Sequence, residues 1–374
     1  MILAGEASGD RHGADLVREL KALNPQLTFF GMGGDRMKAE GVELFFHISQ
    51  TSIMGFTEVI RHLPFIFQMK KTLEQAVADR RPVYAVLIDY PGFNLRFARF
   101  LHQNNVPVIW YIAPQVWAWG KGRLKDIRRY VDLMLCILPF EEPFFRKAGI
   151  RAHFVGHPLV EQIEVSGSSS AFLSSISLPD DRPLIGLLPG SRSQEVSALL
   201  PVMVNAVLPL IQQGRVSAAV AGVNHLPPDV YKPAGEAGIP VVFGKVHDLM
   251  GHSTLSVVAS GTATLETALC GTPLIVVYKT SWLTYLIGRF ILRLDRISLV
   301  NIIPDEQLVP ELIQHEANPE SIRKQILSWL DQPAGREMVI EKLARLRKQL
   351  GSLSASREAA SRIQGRVSGN GSWE

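Results

Sequence analysis

Residues 184–196 read LIGLLPGSRSQEV, and this stretch decides how the chain is interpreted. The apolar run Leu184 to Leu188 suits a buried strand. It breaks at Pro189-Gly190 and meets Ser191, Arg192 and Ser193 before an apolar-periodic segment opens at Gln194. A strand, a glycine turn and a helix start aim backbone N–H groups and the positive end of a helix dipole at an anion. Arg192 adds a planar, permanently charged fork suited to phosphate oxygens. An ordinary βα turn that happens to carry an arginine reads equally well from these residues alone.

Outward from that stretch, short apolar runs alternate with amphipathic segments along most of the chain, which predicts parallel sheets covered on both faces. Strands are expected at 2–4, 27–31, 42–46, 83–88, 107–112, 132–138 and 151–155. A second set is expected at 184–188, 216–221, 240–243, 254–259 and 272–277. The serine-rich segment 165–181 interrupts the alternation and reads as a linker. The fold class is therefore α/β, with two doubly wound Rossmann-like domains facing across a cleft. Residues 1–164 are expected to form an N-terminal domain and 182–334 a C-terminal one, with a nucleotide held by the second and another substrate by the first. After about 305 the pattern is purely helical, and 335–374 are expected to pack back on the N-terminal domain or on a partner subunit. Between 335 and 366 eight Lys or Arg face three Glu; a solvated helical face explains this most simply.

With 374 residues, the chain exceeds one typical core. Hydrophobic residues make up 47% and charged residues 20%, which excludes a disordered chain. The net charge of +4 fits phosphorylated ligands or an anionic membrane surface. No basic stripe interleaved with aromatics points to nucleic acid. Cys136 and Cys270 sit in apolar contexts, suit a reducing compartment and argue against structural zinc. No signal peptide or spanning segment is expected, so the protein reads as cytoplasmic.

Four strand ends carry chemistry-bearing residues. Gly5 to Asp10 (GEASGD) follows the first run and suits a neutral, hydroxyl-rich ligand, with Asp10 capping the helix that begins beside it. Asp89 ends the run Val83 to Ile88; rigidly held in a partly apolar setting, its carboxylate would have a raised pKa useful to a general base. Gln115, Trp117 and Trp119 lie in PQVWAW, where tryptophans suit a sugar or a lipid channel, and Lys121, Arg123, Lys125, Arg128 and Arg129 follow. Ser260 to Glu266 (SGTATLE) forms a second anion-friendly helix start, with Glu266 placed to accept ribose hydroxyls. Residues 53–71 and 282–294 are apolar enough for a buried helix, a membrane surface or an acyl pocket. Ile60, Leu63, Ile66 and Phe67 are the expected contacts. The P-loop, zincin and D-x-D patterns are absent from the sequence.

Taken together and in this order, GEASGD, IDYPGFN (88–94), PQVWAW (114–119), LPFE (138–141), VGHPL (155–159), LPGSR (188–192), SGTATLE (260–266) and SLVN (298–301) resemble the lipid-A-disaccharide synthases. The resemblance spans roughly residues 3–301. It implies an inverting, metal-independent glycosyltransferase of the two-Rossmann-domain (GT-B) type in lipid A biosynthesis. Such an enzyme transfers 2,3-diacylglucosamine from its UDP derivative to the 6-hydroxyl of 2,3-diacylglucosamine 1-phosphate. The products are a β-1′,6-linked disaccharide 1-phosphate and UDP. The UDP-sugar is a substrate, and no cofactor or metal is expected. The resemblance also implies peripheral attachment to the cytoplasmic face of the inner membrane, and it leaves room for a homodimer.

Residue by residue, the family's essential aspartate falls on Asp89 and its essential arginine on Arg192. Substrate-binding positions fall on Glu6, Ser8, Gly9, Gln115, Trp117, Ser191, Gly261, Thr262, Ala263, Glu266 and Asn301. Where many relatives carry a second acid in the Asp89 turn, this chain has Gly92. It also reaches GEASGD early, which predicts a short first strand and leaves the start codon open. Two rivals stay in view: another UDP-sugar glycosyltransferase or epimerase of the same fold, and a non-catalytic nucleotide-binding protein at a membrane surface.

Overall fold

The computed structural model describes residues 1–50, 63–118, 120–279, 296–351 and 354–368. The chain divides into two compact units, Met1–Pro158 with Leu350–Glu374, and Leu159–Gln349.

Unit 1 is built on a seven-stranded sheet. Its strands are β1 (Ile2–Ala4), β2 (Phe29–Gly33), β3 (Val42–His47), β4 (Ala85–Ile88), β5 (Val108–Tyr111), β6 (Leu133–Cys136) and β7 (Ala152–Phe154). They run in the order β3-β2-β1-β4-β5-β6-β7, and every pairing is parallel. Ile2, Leu3 and Ala4 and the whole of β4 are buried, as a strand covered by helices on both faces requires. The strand order reverses between β1 and β4, which pair through Ala4 and Ile88. Ligands of open parallel sheets bind at that reversal, beyond the carboxyl ends of the strands.

Unit 2 repeats the plan with β8 (Leu184–Leu188), β9 (Ser217–Gly222), β10 (Val241–Phe243), β11 (Leu255–Ala259), β12 (Leu274–Tyr278) and β13 (Glu311–Ile313). The order β10-β9-β8-β11-β12-β13 reverses between β8 and β11. The helix Ser193–Gln212 is long and apolar enough to cross a membrane by composition, but it lays Val196, Leu199, Leu200, Met203, Val207 and Leu210 into the core of this unit.

Three expectations about the chain's layout are corrected. Residues 165–181 are no open linker. Ser168 caps a helix, Ser169–Ser175, that buries Phe172 and Leu173. Around it, the Ser166 N–H donates to Asp248, and Phe172 stacks on His252. Two adjacent apolar side chains among the serines suffice to dock the segment. The region after 305 is not purely helical, because β13 adds an edge strand too short to show a period. Finally, the helix Pro333–Gln349 belongs to unit 2, with Leu343 and Leu346 buried. Only the chain from Leu350 returns to unit 1, where Ala359, Ala360 and Ile363 of the helix Ala355–Ser368 join the core beside Leu16, Val17 and Leu20.

Candidate active site

In unit 1 the reversal point gathers two of the sequence motifs. The helix Ala7–Leu23 starts directly after Gly5-Glu6, and the helix Pro91–Gln103 starts after Asp89-Tyr90. Asp89 and Tyr90 both take left-handed backbone conformations, at φ 43° and 49°. Ile112, just past the neighbouring β5, does the same at φ 66°, which is costly for a β-branched residue. Such strain persists only where the surroundings enforce it, and it clusters at functional sites. The enforcing contacts are visible. The Asp89 N–H donates to the Tyr111 carbonyl at 3.1 Å, and the buried Asn94 amide donates to the Asp89 carbonyl at 2.7 Å. The Tyr90 ring packs on Gly5 so closely that a Cβ there would lie 2.4 Å from it. That contact explains the glycine of GEASGD.

The half-buried Asp89 carboxyl is pushed up to about 6. Burial is the main cause, the negative charge of Glu6 adds to it, and a hydrogen bond from the Tyr90 backbone opposes it. Near neutral pH this is a carboxylate whose basicity suits proton abstraction. Glu6 and Ser8 are exposed and Gly9 is buried in the first helical turn. Asp10 departs from expectation: its carboxylate does not cap its own helix but accepts from the N–H groups of Gly34, Arg36 and Met37, at 2.7, 3.1 and 3.0 Å. It caps the helix Asp35–Ala39 and ties the first turn of the helix Ala7–Leu23 to the turn after β2, a long-range role that local spacing does not reveal.

Gln115 is exposed, and Trp117 is half-buried with its indole N–H donating to Glu141 at 3.0 Å. Glu141 is a functional candidate that side-chain type alone did not flag, although it closes the LPFE motif. It is 1% exposed, and burial pushes its carboxyl up to about 8 against the hydrogen bonds from Trp117 and the Leu138 backbone. The charge of Asp89 raises it further. Glu141 therefore anchors the tryptophan loop close to the candidate base.

In unit 2 a cavity of about 630 Å³ opens at the carboxyl ends of β8 to β11. It is lined by Ser191 and Arg192 from one turn and by Gly261, Thr262, Ala263 and Glu266 from the other. The two helix starts picked from the sequence thus share one site, on the strands where the order reverses. Asn224, Gly244 and Val246 also line it. They follow β9 and β10, and applying the strand-end rule to those two strands would have found them. The helix after PGSR begins at Ser193, one residue earlier than expected.

The N–H groups there are already engaged. Glu195 reaches back to accept from Ser191 and Arg192 at 3.2 and 3.4 Å, and its other oxygen pairs with the Arg192 guanidinium at 3.3 Å. Gly190 makes room for this, since a Cβ would sit 2.5 Å from the Glu195 carboxylate. The exposed Arg192 side chain is held by this surface pair, of a kind that contributes little to stability. Glu266 lies 3.6 Å from His247. Asn301 does not line this cavity. Its amide donates to Val309 and Glu311 and accepts from Leu308 and Val309, which uses its full hydrogen-bonding capacity to hold the loop before β13.

Of the expected membrane or acyl contacts, Phe67 is exposed at 67%, whereas Ile66 packs on the core of unit 1. Ile60, the side chain of Leu63, Trp119 and the segment 282–294 lie outside the described residues.

Comparison with known proteins decides among the nucleotide-sugar enzymes that share this plan. A family model for lipid-A-disaccharide synthetase matches residues 1–363. The chain belongs to the lipid-A-disaccharide synthetase family. It is 43% identical to the lipid-A-disaccharide synthase of Myxococcus xanthus (strain DK1622), over 97% of this chain and 96% of that protein. The corresponding protein of Syntrophus aciditrophicus (strain SB) is also 43% identical, with 96% and 95% covered. Among solved structures, the calicheamicin glycosyltransferase CalG4 aligns with a TM-score of 0.62 at 15% identity, covering 98% of this chain and 97% of that one. A UDP-GlcNAc 2-epimerase from Neisseria meningitidis bound to UDP-GlcNAc aligns at 0.60 and 12%, with 98% of each covered. These two likenesses concern the fold. Membership in the lipid-A-disaccharide synthetase family makes the chain a glycosyltransferase, and four of its motifs, GEASGD, IDYPGFN, LPGSR and SGTATLE, occupy the two reversal points.

Proposed function

We propose that the chain transfers 2,3-diacylglucosamine from UDP-2,3-diacylglucosamine to the 6-hydroxyl of 2,3-diacylglucosamine 1-phosphate. The observation that carries the residue assignment is Asp89, a carboxylate of raised basicity held in strained backbone at the reversal point of unit 1. Asp89 accepts the proton of the acceptor hydroxyl as its oxygen bonds to the anomeric carbon. The bond from that carbon to UDP breaks in the same displacement, which inverts the configuration. In unit 2, Arg192 exchanges Glu195 for the departing diphosphate. The helix starts at 193 and 262 supply fixed dipoles, and Glu266 accepts from the ribose. Turnover is expected to persist in EDTA, because Arg192 and these dipoles supply the neutralising charge. The site of action in this reading is the cytoplasmic face of the inner membrane.

The test supplies both lipids in nonionic micelles and follows disaccharide 1-phosphate and UDP by mass spectrometry. Asp89→Asn should lower turnover by about 10²- to 10⁴-fold with UDP binding retained. In the wild-type protein kcat/KM should fall as the pH drops through about 6, where Asp89 takes up its proton. A wild-type protein that makes no disaccharide overturns the reading, and an active Asp89→Asn protein overturns the base assignment.

A further inference from the structure

A second cavity, of about 680 Å³, lies wholly in unit 1 and opens directly beside the Asp89 turn. Its edge is formed by Pro91 and Gly92, where nothing stands within 4 Å of a Cβ built on Gly92. From there the lining follows one face of the helix Pro91–Gln103, through Leu95, Arg96, Arg99 and Phe100. Helical side chains lean toward the N-terminus, so the two guanidinium groups project back over the first turns of this helix. From Pro91 to Arg99 the axis spans only about 12 Å, a distance that a substituted hexose covers.

The charge balance in this cavity is distinctive. Lys70 is paired with Glu74 at 2.6 Å, and both lie on its wall. Arg123 and Asp126 add one charge of each sign. Arg96 and Arg99 are exposed, and none of the ion pairs found among the described residues includes either of them. Two forked donors held one helical turn apart suit the oxygens of a phosphomonoester, which an ammonium would contact only as a point charge. Leu95 and Phe100 supply an apolar wall beside them, and the exposed Phe67 stands one turn before Lys70 on the neighbouring helix Leu63–Arg80.

We propose that this cavity binds the phosphate of the acceptor, with Arg96 and Arg99 as its forked donors, and thereby selects a phosphorylated acyl-sugar over its unphosphorylated counterpart. The inference rests on the transfer reaction proposed above and concerns its acceptor half-site. Anchored by its phosphate on this helix, the sugar is held next to the turn that carries Asp89, and orientation of this kind is a large part of catalysis by proximity.

The test is the double variant Arg96→Ala, Arg99→Ala, assayed in nonionic micelles. The KM for diacylglucosamine 1-phosphate should rise by about 10- to 100-fold, the loss expected for charge-assisted hydrogen bonds, while the KM for the UDP-sugar stays as in wild type. Calorimetric titration with the acceptor should show the same loss. Titration with the analogue bearing a 1-hydroxyl should not distinguish variant from wild type. An unchanged KM for the phosphorylated acceptor overturns the proposal, as does an equal loss with the 1-hydroxyl analogue. Flotation on phosphatidylglycerol vesicles separates the other source of phosphate: lost vesicle binding with unchanged micellar KM assigns the cavity to a membrane headgroup and again overturns it. If the wild type makes no disaccharide, the transfer reading fails by itself, and the titrations still decide whether the cavity takes a phosphorylated sugar.

Discussion

At the scale of single residues, two acids divide the work of unit 1. Asp89 is raised enough to be basic and still ionised near neutrality, whereas Glu141, 1% exposed, is held close to its neutral form. Glu141 has a consequence for stability. Its folded-state value of about 8 lies above the ordinary 4.5, so the folded chain keeps a proton that the unfolded chain has released. Its contribution is favourable at low pH and is lost as the pH rises from about 4.5 to about 8, at up to about 1.4 kcal/mol per pH unit. Glu141→Gln should therefore flatten the pH dependence of chemical denaturation midpoints over that range. An unchanged slope would show that the carboxyl is ionised in the folded protein. The pairing of Trp117 with Glu141 was not legible in the motif letters, because 24 residues separate them and only the sheet brings them together.

Among elements, the decisive feature is the helix start after β8. The strand, the turn and Arg192 were all readable from local pattern, and so was the apolar face of the helix that follows. The local pattern did not reveal that Glu195 already occupies the N–H groups meant for an anion. Glu195 in the first turn favours the helix dipole and caps the free ends, and in the proposed reaction the same carboxylate gives way to the diphosphate of UDP. Glu195→Ala should tighten UDP binding several-fold in calorimetric titration while lowering stability by about 0.5–1 kcal/mol. Weaker UDP binding would instead mean that Glu195 presents Arg192 to the nucleotide.

For the whole molecule, the C-terminal helix is the instructive element. Ala359, Ala360 and Ile363 are fully buried in unit 1, and Arg357 pairs with Glu19 at 3.2 Å. Truncation after Gln349 removes this layer and leaves Leu16, Val17 and Leu20 uncovered. Hydrogen exchange should then rise throughout the helix Ala7–Leu23 and its strands, while UDP binding by unit 2 persists. Protection unchanged in unit 1 would show that the helix is dispensable to that core.

Periodicity and turn chemistry were enough to establish two doubly wound units and to put Asp89 and Arg192 at the strand ends where the order reverses, because each depends on residues within a few positions of one another. Tertiary structure decided what depends on distant partners. It placed Asp10 on the cap of another helix, assigned Asn301 to a loop scaffold and Glu141 to a tryptophan, and returned the last helix to the first unit. The physical reason is the same in each case. A buried polar group takes whichever partner the packed chain brings within hydrogen-bonding reach, and that partner is specified by the fold as a whole.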